Sequence, residues 1–415
     1  MKSLTTWAVI LVLILSGLAI WFIHATNDYS MVSQTGQLDR IVEIHNLTVV
    51  GYKGEARAWK IKAGYTWSGY DKSAAHFEDL TDGTLYDQDH IIMANLRAKQ
   101  GRGDSQRDWL EADGAVASDI YLYQDDKVRH LFINAGKLFY NSTIHRTIVQ
   151  DDVVLRYEGT TIQTSGAEID HETNTVYVNN HFLMWDDHSR IQAESMEANL
   201  KTQFATIRNN VSMILTPNAT SGAATTLNCG YLVFAINDED GQKFQFQNKV
   251  RFMQDNYDAF ASGGSYDQRN GLLDLAQRIE LVLIDTGTVI RCEALQAVVS
   301  TPDQALHSAQ FWDHVDIQEH DKTIKAKKGS YAVVDNALSL SGDVRMTVHQ
   351  FRNLIRKESA DRIENPQNAE ILSKPALLEC DQLSLDRQSQ NATASGDVHV
   401  VQKAQQARAE QARYV

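Results

Sequence analysis

The chain has 415 residues, of which 43% are apolar, so it is long enough for two globular domains of the usual ~100 to 200 residues each. Its net charge of -14 comes without basic blocks or clusters of arginine with aromatic residues, which excludes the usual footprint of a nucleic-acid-binding protein. Only 4 prolines occur, and because proline cannot donate a hydrogen bond to a paired strand, the low count favours long uninterrupted β-sheet.

One long apolar segment lies near the N-terminus. Residues 4–23 form an uncharged stretch of 20 residues, the length that a helix needs to cross about 30 Å of hydrocarbon. Lys2 precedes this stretch and the next basic residue is Arg40, so the positive-inside rule places residues 1–3 in the cytoplasm and the bulk of the chain outside. The alternative is a cleaved signal peptide with a poor cleavage site. We expect a retained single-pass anchor, followed by a linker over residues 24–37.

Most of the chain after residue 130 aligns with itself, as a structural repeat does. An apolar residue, with a small residue two positions later, is followed after twenty positions by an alternating apolar pair. The matches are Ile133 with Val153, Ile162 with Phe182, Ile191 with Val211, Ala259 with Ile279, Ile324 with Val344, and Leu378 with Val398. Where no insertion intervenes, successive units lie 29 residues apart, as Val153, Phe182 and Val211 do.

Each unit is predicted to be a β-hairpin. Apolar residues alternate within it, as in Val211, Met213 and Leu215, which is typical of strands with one buried face. Polar clusters such as residues 170–174, 267–271 and 386–389 separate the strands and favour turns. An Asp or Asn often precedes the second strand, sometimes after glycine, which indicates a bulge or a turn at the start of that strand; the cases are Asp152-Val153, Asn210-Val211, Asp343-Val344 and Asp397-Val398.

A hairpin with one apolar face is not stable alone, so the units are expected to stack and bury that face together. The product is a long, two-walled β structure, either a jelly roll open along one side or a β-solenoid. Residues 217–224 have linker composition and divide the chain into halves. Residues 349–374 are charged and form a predicted insertion, and residues 404–415 are interpreted as a short helical or frayed tail.

All three cysteines occupy the small position of the repeat, where other units have alanine or threonine. They are Cys229, Cys292 and Cys380, and packing inside the fold explains them better than a redox or metal role. His314, Asp316 and His320 alternate along one strand and could in principle bind a metal ion, but a polar outward face of the strand is the simpler interpretation. No P-loop, zinc-protease, nucleophile-elbow or dinucleotide motif occurs. We therefore expect no enzyme activity, no cofactor and no metal site, and any energy for transport must come from a partner.

The single anchor, the segment Trp59-Lys60-Ile61-Lys62-Ala63, and repeats containing Ser341-Gly342-Asp343-Val344 or Ser395-Gly396-Asp397-Val398 resemble the lipopolysaccharide-export proteins LptC and LptA (OstA-like). The LptC-like part covers residues 38–216 and the LptA-like part residues 225–403. The chain thus looks like an LptC-type half followed by an LptA-type half, which that family usually divides between two proteins.

The resemblance implies an all-β fold in which an N-terminal transmembrane helix precedes two stacked, twisted β-jellyroll modules with a V-shaped groove. It also implies an inner-membrane, single-pass location with the C-terminal bulk in the periplasm. The implied partners are lipopolysaccharide, an inner-membrane ABC transporter of LptB/LptF/LptG type, and an LptA-like bridge or outer-membrane LptD-like translocon that docks by edge-strand pairing. No nucleic acid is expected among the partners.

The inward positions of the repeat are the candidates for contact with lipid acyl chains. They are Ile133, Val153, Leu155, Ile162, Phe182, Met184, Ile191, Val211, Met213, Val250, Phe252, Ile279, Leu281, Val315, Ile317, Ile324, Val344, Met346 and Val398. For any one of them, plain core packing is an equally good explanation. The main alternative function is a membrane-tethered β-solenoid that acts as a structural or adhesive scaffold, with a filled interior and no lipid ligand.

Overall fold

The computed structural model describes residues 42–68, 74–87, 90–104, 108–124, 127–216, 223–236, 243–300, 305–349, 374–389, 391–403 and 405–414. Every regular element in these ranges is a β-strand, and all of the strands belong to one antiparallel sheet. The first twelve strands are β1 (Val42–Lys53), β2 (Ala56–Ser68), β3 (Ala74–Asp87), β4 (His90–Asp104), β5 (Trp109–Gln124), β6 (Lys127–Asn141), β7 (Arg146–Tyr157), β8 (Thr160–Asp170), β9 (Thr175–Val178), β10 (Phe182–Trp185), β11 (Ser189–Ala193) and β12 (Ser195–Asn199). The other twelve are β13 (Phe204–Leu215), β14 (Thr225–Ala235), β15 (Lys243–Gln254), β16 (Tyr257–Asp267), β17 (Leu272–Leu283), β18 (Thr288–Val299), β19 (Leu306–Gln318), β20 (Lys322–Ala332), β21 (Ala337–Val348), β22 (Ala376–Asp386), β23 (Asn391–Gln402) and β24 (Gln405–Tyr414).

The strands follow one another through the sheet as successive hairpins. Strand β8 pairs with both β9 and β10, and β13 pairs with both β11 and β12. Strands β9 and β10 therefore form one interrupted strand, and β11 and β12 form another. The 24 strands therefore occupy 22 positions. The predicted all-β architecture of repeated hairpins is confirmed. The predicted anchor at 4–23, the linker at 24–37 and nearly all of the insertion at 349–374 lie outside the described residues, and within those residues no helix has the length and apolarity needed to span a membrane.

Eight of the described strands bend in the middle, each at two adjacent residues with positive φ. In β13 these are Asn209 and Asn210, with φ of 66° and 52°, and the strand has one residue more there than its partner β14. Asn, Asp and Gly tolerate this left-handed conformation better than other residues do. The pairs in the other bent strands are Gly114 and Ala115, Asp151 and Asp152, Asn248 and Lys249, Gln277 and Arg278, Asp313 and His314, Gly342 and Asp343, and Gly396 and Asp397.

The Asp-Val and Asn-Val pairs of the sequence therefore mark a bulge, as one of the two interpretations predicted. The alternative, a turn at the start of a strand, is wrong, because the strand already exists for several residues before the bulge. Glycine is needed in the neighbouring strand at some bends: a Cβ on Gly136 would lie 2.6 Å from the Cβ of Asp151, and one on Gly230 would lie 2.9 Å from that of Asn248.

The bends fold the sheet onto itself. Tyr266 lies seven residues along β16 from Ala259, the partner of Phe252, a distance of about 23 Å in a flat sheet. The ring centroids of Phe252 and Tyr266 are nevertheless 5.9 Å apart. Trp59 and Phe77 show the same relation across β2 and β3, with centroids 5.8 Å apart. Each long strand therefore contributes one half to each of two facing walls.

We call these wall A and wall B. Wall A comprises residues 42–45, 65–68, 74–78, 100–104, 109–113, 137–141, 146–150, 166–170, 175–178, 195–199, 204–208, 231–235, 243–247, 263–267, 272–276, 294–299, 306–312, 328–332, 337–341, 382–386, 391–395 and 411–414. Wall B comprises residues 47–53, 56–63, 80–87, 90–98, 116–124, 127–135, 153–157, 160–164, 182–185, 189–193, 211–215, 225–229, 250–254, 257–261, 279–283, 288–292, 315–318, 322–326, 344–348, 376–380, 398–402 and 405–409. We call the line of bends the spine, and the opposite line, where the turns of the two walls meet, the mouth.

Two segments that were predicted to lie outside the sheet are the linker at 217–224 and the tail at 404–415. The predicted linker at 217–224 connects β13 to β14, and these strands pair with each other from Phe204 and Ala235 to Leu215 and Thr225. The sheet therefore continues from the first predicted half of the chain into the second. The predicted helical or frayed tail is wrong for residues 405–414, which form β24 and pair with β23. Tertiary pairing here outweighs the helical propensity of an alanine-, glutamine- and arginine-rich segment.

Candidate functional site

All nineteen predicted groove residues are buried, with exposed fractions between 0% and 8%. All of them belong to wall B, so the sequence pattern found one side of the interior. Strand pairing places many of them side by side, for example Ile162 beside Met184 and Ile191 beside Met213. They join one continuous apolar cluster, which extends from Trp59 in β2 to Val398 in β23.

The residues predicted from the repeat do not include the facing side of the interior, which wall A forms. Wall A presents its own alternating residues to the cluster, among them Ile207, Phe246, Leu275, Phe311 and Leu340, each at most 3% exposed. The signal was present in the sequence, because the same two-residue alternation stands before each bulge as well as after it. The inward-facing positions keep the same odd or even numbering before and after each bulge. An apolar residue two positions before each left-handed pair therefore marks the inner face of wall A.

Aromatic rings fill the middle of the interior. Phe252 packs against Tyr257 and Tyr266, with centroid distances of 6.4 Å and 5.9 Å, and Phe244 lies 6.4 Å from Tyr266. Burial raises the pKa of Tyr266 to about 12, and it raises the pKa of Tyr257 as well. Both phenols therefore stay neutral at physiological pH, and the interior here is apolar and free of charge.

The three cysteines point into this interior beside the spine. Cys229, Cys292 and Cys380 pair with Val211, Ile279 and Val344, and all three are buried and not disulfide-bonded. Burial raises the pKa of Cys229 and of Cys292 to about 12, and it also raises that of Cys380. This placement confirms the prediction that the cysteines occupy small, inward-facing positions of the repeat.

Side-chain contacts cross the mouth and hold the free ends of the two walls together. Near the N-terminal end, Lys53 Nζ of wall B lies 2.9 Å from Asp108 Oδ2 on the wall A side, and Asp87 Oδ2 lies 3.3 Å from His145 Nδ1. Farther along, Arg129 of wall B donates to the side-chain oxygen of Gln203, with the amide turned so that its oxygen faces the guanidinium. Near the C-terminal end, Glu319 of the wall B side pairs with Arg387 of the wall A side. We call these four pairs the mouth contacts.

A small apolar cavity lies between the walls beside Arg129. Its volume is about 30 Å³, enough for one or two water molecules. Leu131, Tyr157 and Met184 line it from wall B, and Met196, Leu200 and Phe234 line it from the wall A side. A cavity of this volume is too small for a hydrocarbon chain, which would fit here only if the walls moved apart.

The larger depressions lie outside, along the spine. One of about 720 Å³ is lined by Asn209, Asn210, Asn248 and Lys249, and a second of about 640 Å³ shares Asn248 with it. Both linings include amide side chains beside apolar ones, and these amides would be left unpaired against acyl chains. Among the described residues, no three His, Cys, Asp or Glu side chains are arranged to hold a metal ion.

No known protein-family model matches the sequence, and no curated protein matches it. The chain is therefore characterised by its own geometry: two walls of one bent sheet, joined by backbone along the spine and by side chains along the mouth, around an apolar interior.

Proposed function

We propose that the chain is a membrane-anchored periplasmic carrier that shields the acyl chains of lipopolysaccharide between its two walls. It receives them from an inner-membrane ABC transporter and passes them toward the outer membrane. The observation that carries this proposal is the continuous apolar cluster between walls that are covalently joined on one side only. On the mouth side, the contacts that close the interior are between side chains, and these can be broken and remade without unfolding the sheet.

The physics of lipid transfer explains why such an interior is useful. Exposing one CH₂ group to water costs about 0.8 kcal/mol, so a chain of a dozen carbons costs on the order of 10 kcal/mol. A carrier must therefore offer an unbroken apolar path. The 22 strand positions, at about 4.8 Å each, give a track on the order of 100 Å.

The proposal includes the finer fold that the resemblance implies, two stacked V-shaped β-jellyroll modules of LptC and LptA type. The Gly-Asp-Val segments at Gly342 and Gly396, on which the resemblance partly depends, lie at bends of the strands along the spine, which supports this finer fold. The edge strands supply the docking sites: among the described residues, β1 pairs only with β2 and β24 pairs only with β23. In the proposal, β1 faces the transporter and β24 faces an LptA-like bridge or an LptD-like translocon.

The burial of the inward residues also suits a second candidate, the membrane-tethered scaffold without a ligand. Close packing of both walls, with a cavity of about 30 Å³, is what a purely structural β protein would show. The two candidates differ in one property. A carrier opens along the mouth when lipid is present, whereas a scaffold keeps its walls together.

A photo-crosslinking amino acid at position 252 tests the carrier function in cells. Phe252 is fully buried on β15, whereas Phe260 on the neighbouring strand β16 is 36% exposed on the outer face and serves as the matched control. We expect crosslinks to lipopolysaccharide from position 252 and none from position 260. Crosslinks at 260 alone, or at neither position, would favour the scaffold.

A further inference from the structure

The mouth is not equally strong along its length. At the C-terminal end, Glu319 and Arg387 are both charged and their side chains are only 13% and 14% exposed. Lys322 Nζ lies 2.7 Å from Glu319, and the guanidinium of Arg387 lies 5.5 Å from the ring centre of Tyr331. Opening the mouth here separates two largely buried opposite charges, which is costly in a medium of low dielectric constant.

At Arg129 the partner across the mouth is neutral. Arg129 Nη1 also donates to the Tyr157 hydroxyl at 3.0 Å and lies 3.2 Å from Glu158 Oε2, and both of these residues belong to its own side of the mouth. If the walls part here, Arg129 keeps its ionic partner and loses only the amide of Gln203. The hydrogen bond to Tyr157 raises the pKa of Arg129, so the guanidinium stays charged throughout.

The apolar cavity lies directly behind this contact. Tyr157, which accepts from Arg129, also lines the cavity, and so does Leu200, three residues before Gln203. Met184 and Met196 line it from opposite walls, and methionine side chains adapt readily to a guest because they are unbranched and flexible. A packing defect therefore occurs at the same point of the mouth as a contact in which a charged group meets a neutral amide.

We propose that this point is the gate through which an alkyl chain passes between the walls, while Arg129 holds an anionic headgroup at the rim. This inference rests on the proposed carrier function. When Gln203 moves away with wall A, the guanidinium loses an acceptor, and a carboxylate or phosphate oxygen can take its place in a charge-assisted hydrogen bond. The ligand class is thus an anionic amphiphile whose tail occupies the cavity between Met184 and Met196.

The test uses the full chain in nanodiscs, with Cys229, Cys292 and Cys380 replaced by alanine. A cysteine pair, Arg129→Cys with Gln203→Cys, is bridged by a short bis-maleimide that ties the walls together. In the control, Arg251→Cys with Asp258→Cys is bridged on the outer face of wall B, where these residues form an ion pair at 2.7 Å. The probe is a fatty acid with a photoreactive diazirine on its alkyl chain, and mass spectrometry locates the crosslinks.

Before bridging, we expect crosslinks on the peptides that contain Met184 and Met196. Bridging 129 to 203 should lower this labelling about tenfold, whereas bridging 251 to 258 should leave it unchanged. Undiminished labelling after the 129–203 bridge would overturn the gate and leave carriage intact. Absence of interior labelling in every unbridged chain would instead overturn the proposed function. In the chain with native Arg129 and Gln203, equal labelling by the corresponding fatty alcohol would overturn the headgroup role of Arg129.

Discussion

Replacing Phe252 with alanine tests whether the two walls depend on each other for stability. The ring is fully buried and contacts Tyr266 of the opposite wall, so its removal leaves a cavity between the walls and deletes its aromatic contacts with Tyr257 and Tyr266. A Phe→Ala change in a core costs about 3 to 5 kcal/mol. Phe260→Ala removes a ring that is 36% exposed and lies over Arg251, and its expected cost is about 1 kcal/mol or less.

Hydrogen–deuterium exchange of the full chain measures this effect locally, because a long repeat sheet does not unfold in one step. In the Phe252→Ala chain, amides of β14 to β16 should exchange about 100-fold faster or more, in both wall halves of each strand. The Phe260→Ala chain should differ little from the native one. Faster exchange confined to the wall B half, or equal effects of the two substitutions, would refute the facing-wall arrangement.

Three further predictions concern close contacts and titration. Gly264→Ala should destabilise the sheet by about 1 to 3 kcal/mol, since its Cβ would lie 2.3 Å from a backbone oxygen of β17, whereas Gly166→Ala, with no contact under 3.4 Å, should be nearly neutral in the same denaturant titration. Burial raises the pKa of Cys229 and Cys292 to about 12 from 9.0, so the stability of the fold should fall as pH rises above about 9. Iodoacetamide should label these thiols only after unfolding, and rapid labelling of the native chain would contradict this. Burial lowers the pKa of His171 to about 4 from 6.5, so the neutral side chain stabilises the fold above about pH 6.5 and this contribution is lost as pH falls toward 4. His171→Asn should therefore flatten the acid limb of a plot of melting temperature against pH. An unchanged acid limb would contradict the assignment.

The sequence predicts this fold well where a local pattern determines the structure. The 29-residue spacing of Val153, Phe182 and Val211 and the alternation around them arise directly from antiparallel hairpins, and the structure has these hairpins. The Asp-Val and Asn-Val pairs locate the bends because few residues tolerate positive φ. Strands β1, β3 and β4 escaped the repeat alignment because each has a single left-handed residue, Asn46, Asp79 and Asn95, instead of a pair.

What the sequence did not reveal depends on contacts between distant residues. That Phe252 faces Tyr266 follows from the folding of the sheet about its spine, and no local pattern contains that information. The pairing of β24 with β23 likewise overrides a composition typical of helix. The mouth contacts are even harder to predict from the sequence, because Asp87 and His145 lie in different turns several strands apart, as do Glu319 and Arg387.

The two long sides of the interior differ in how they can open. Along the spine, each bend is a pair of backbone residues inside a continuous strand, so separation there would require breaking the chain's own pairing. Along the mouth, the contacts are polar side-chain pairs, of which Lys53 with Asp108 is partly exposed. Exposed ion pairs contribute only about 0 to 1 kcal/mol each. In the proposed carrier, the spine is therefore the hinge and the mouth is the side that opens.

Spin labels on the two rims measure that opening directly. Ile284 lies in a wall B turn and Val334 in a wall A turn, and both are well exposed, at 51% and 73%, so labels there disturb little packing. Double electron–electron resonance on the full chain should show the label distance increasing by about 4 Å or more when lipopolysaccharide is added, the width of one hydrocarbon chain in van der Waals contact. A distance that stays unchanged while lipopolysaccharide is bound would contradict the claim that acyl chains travel between the walls.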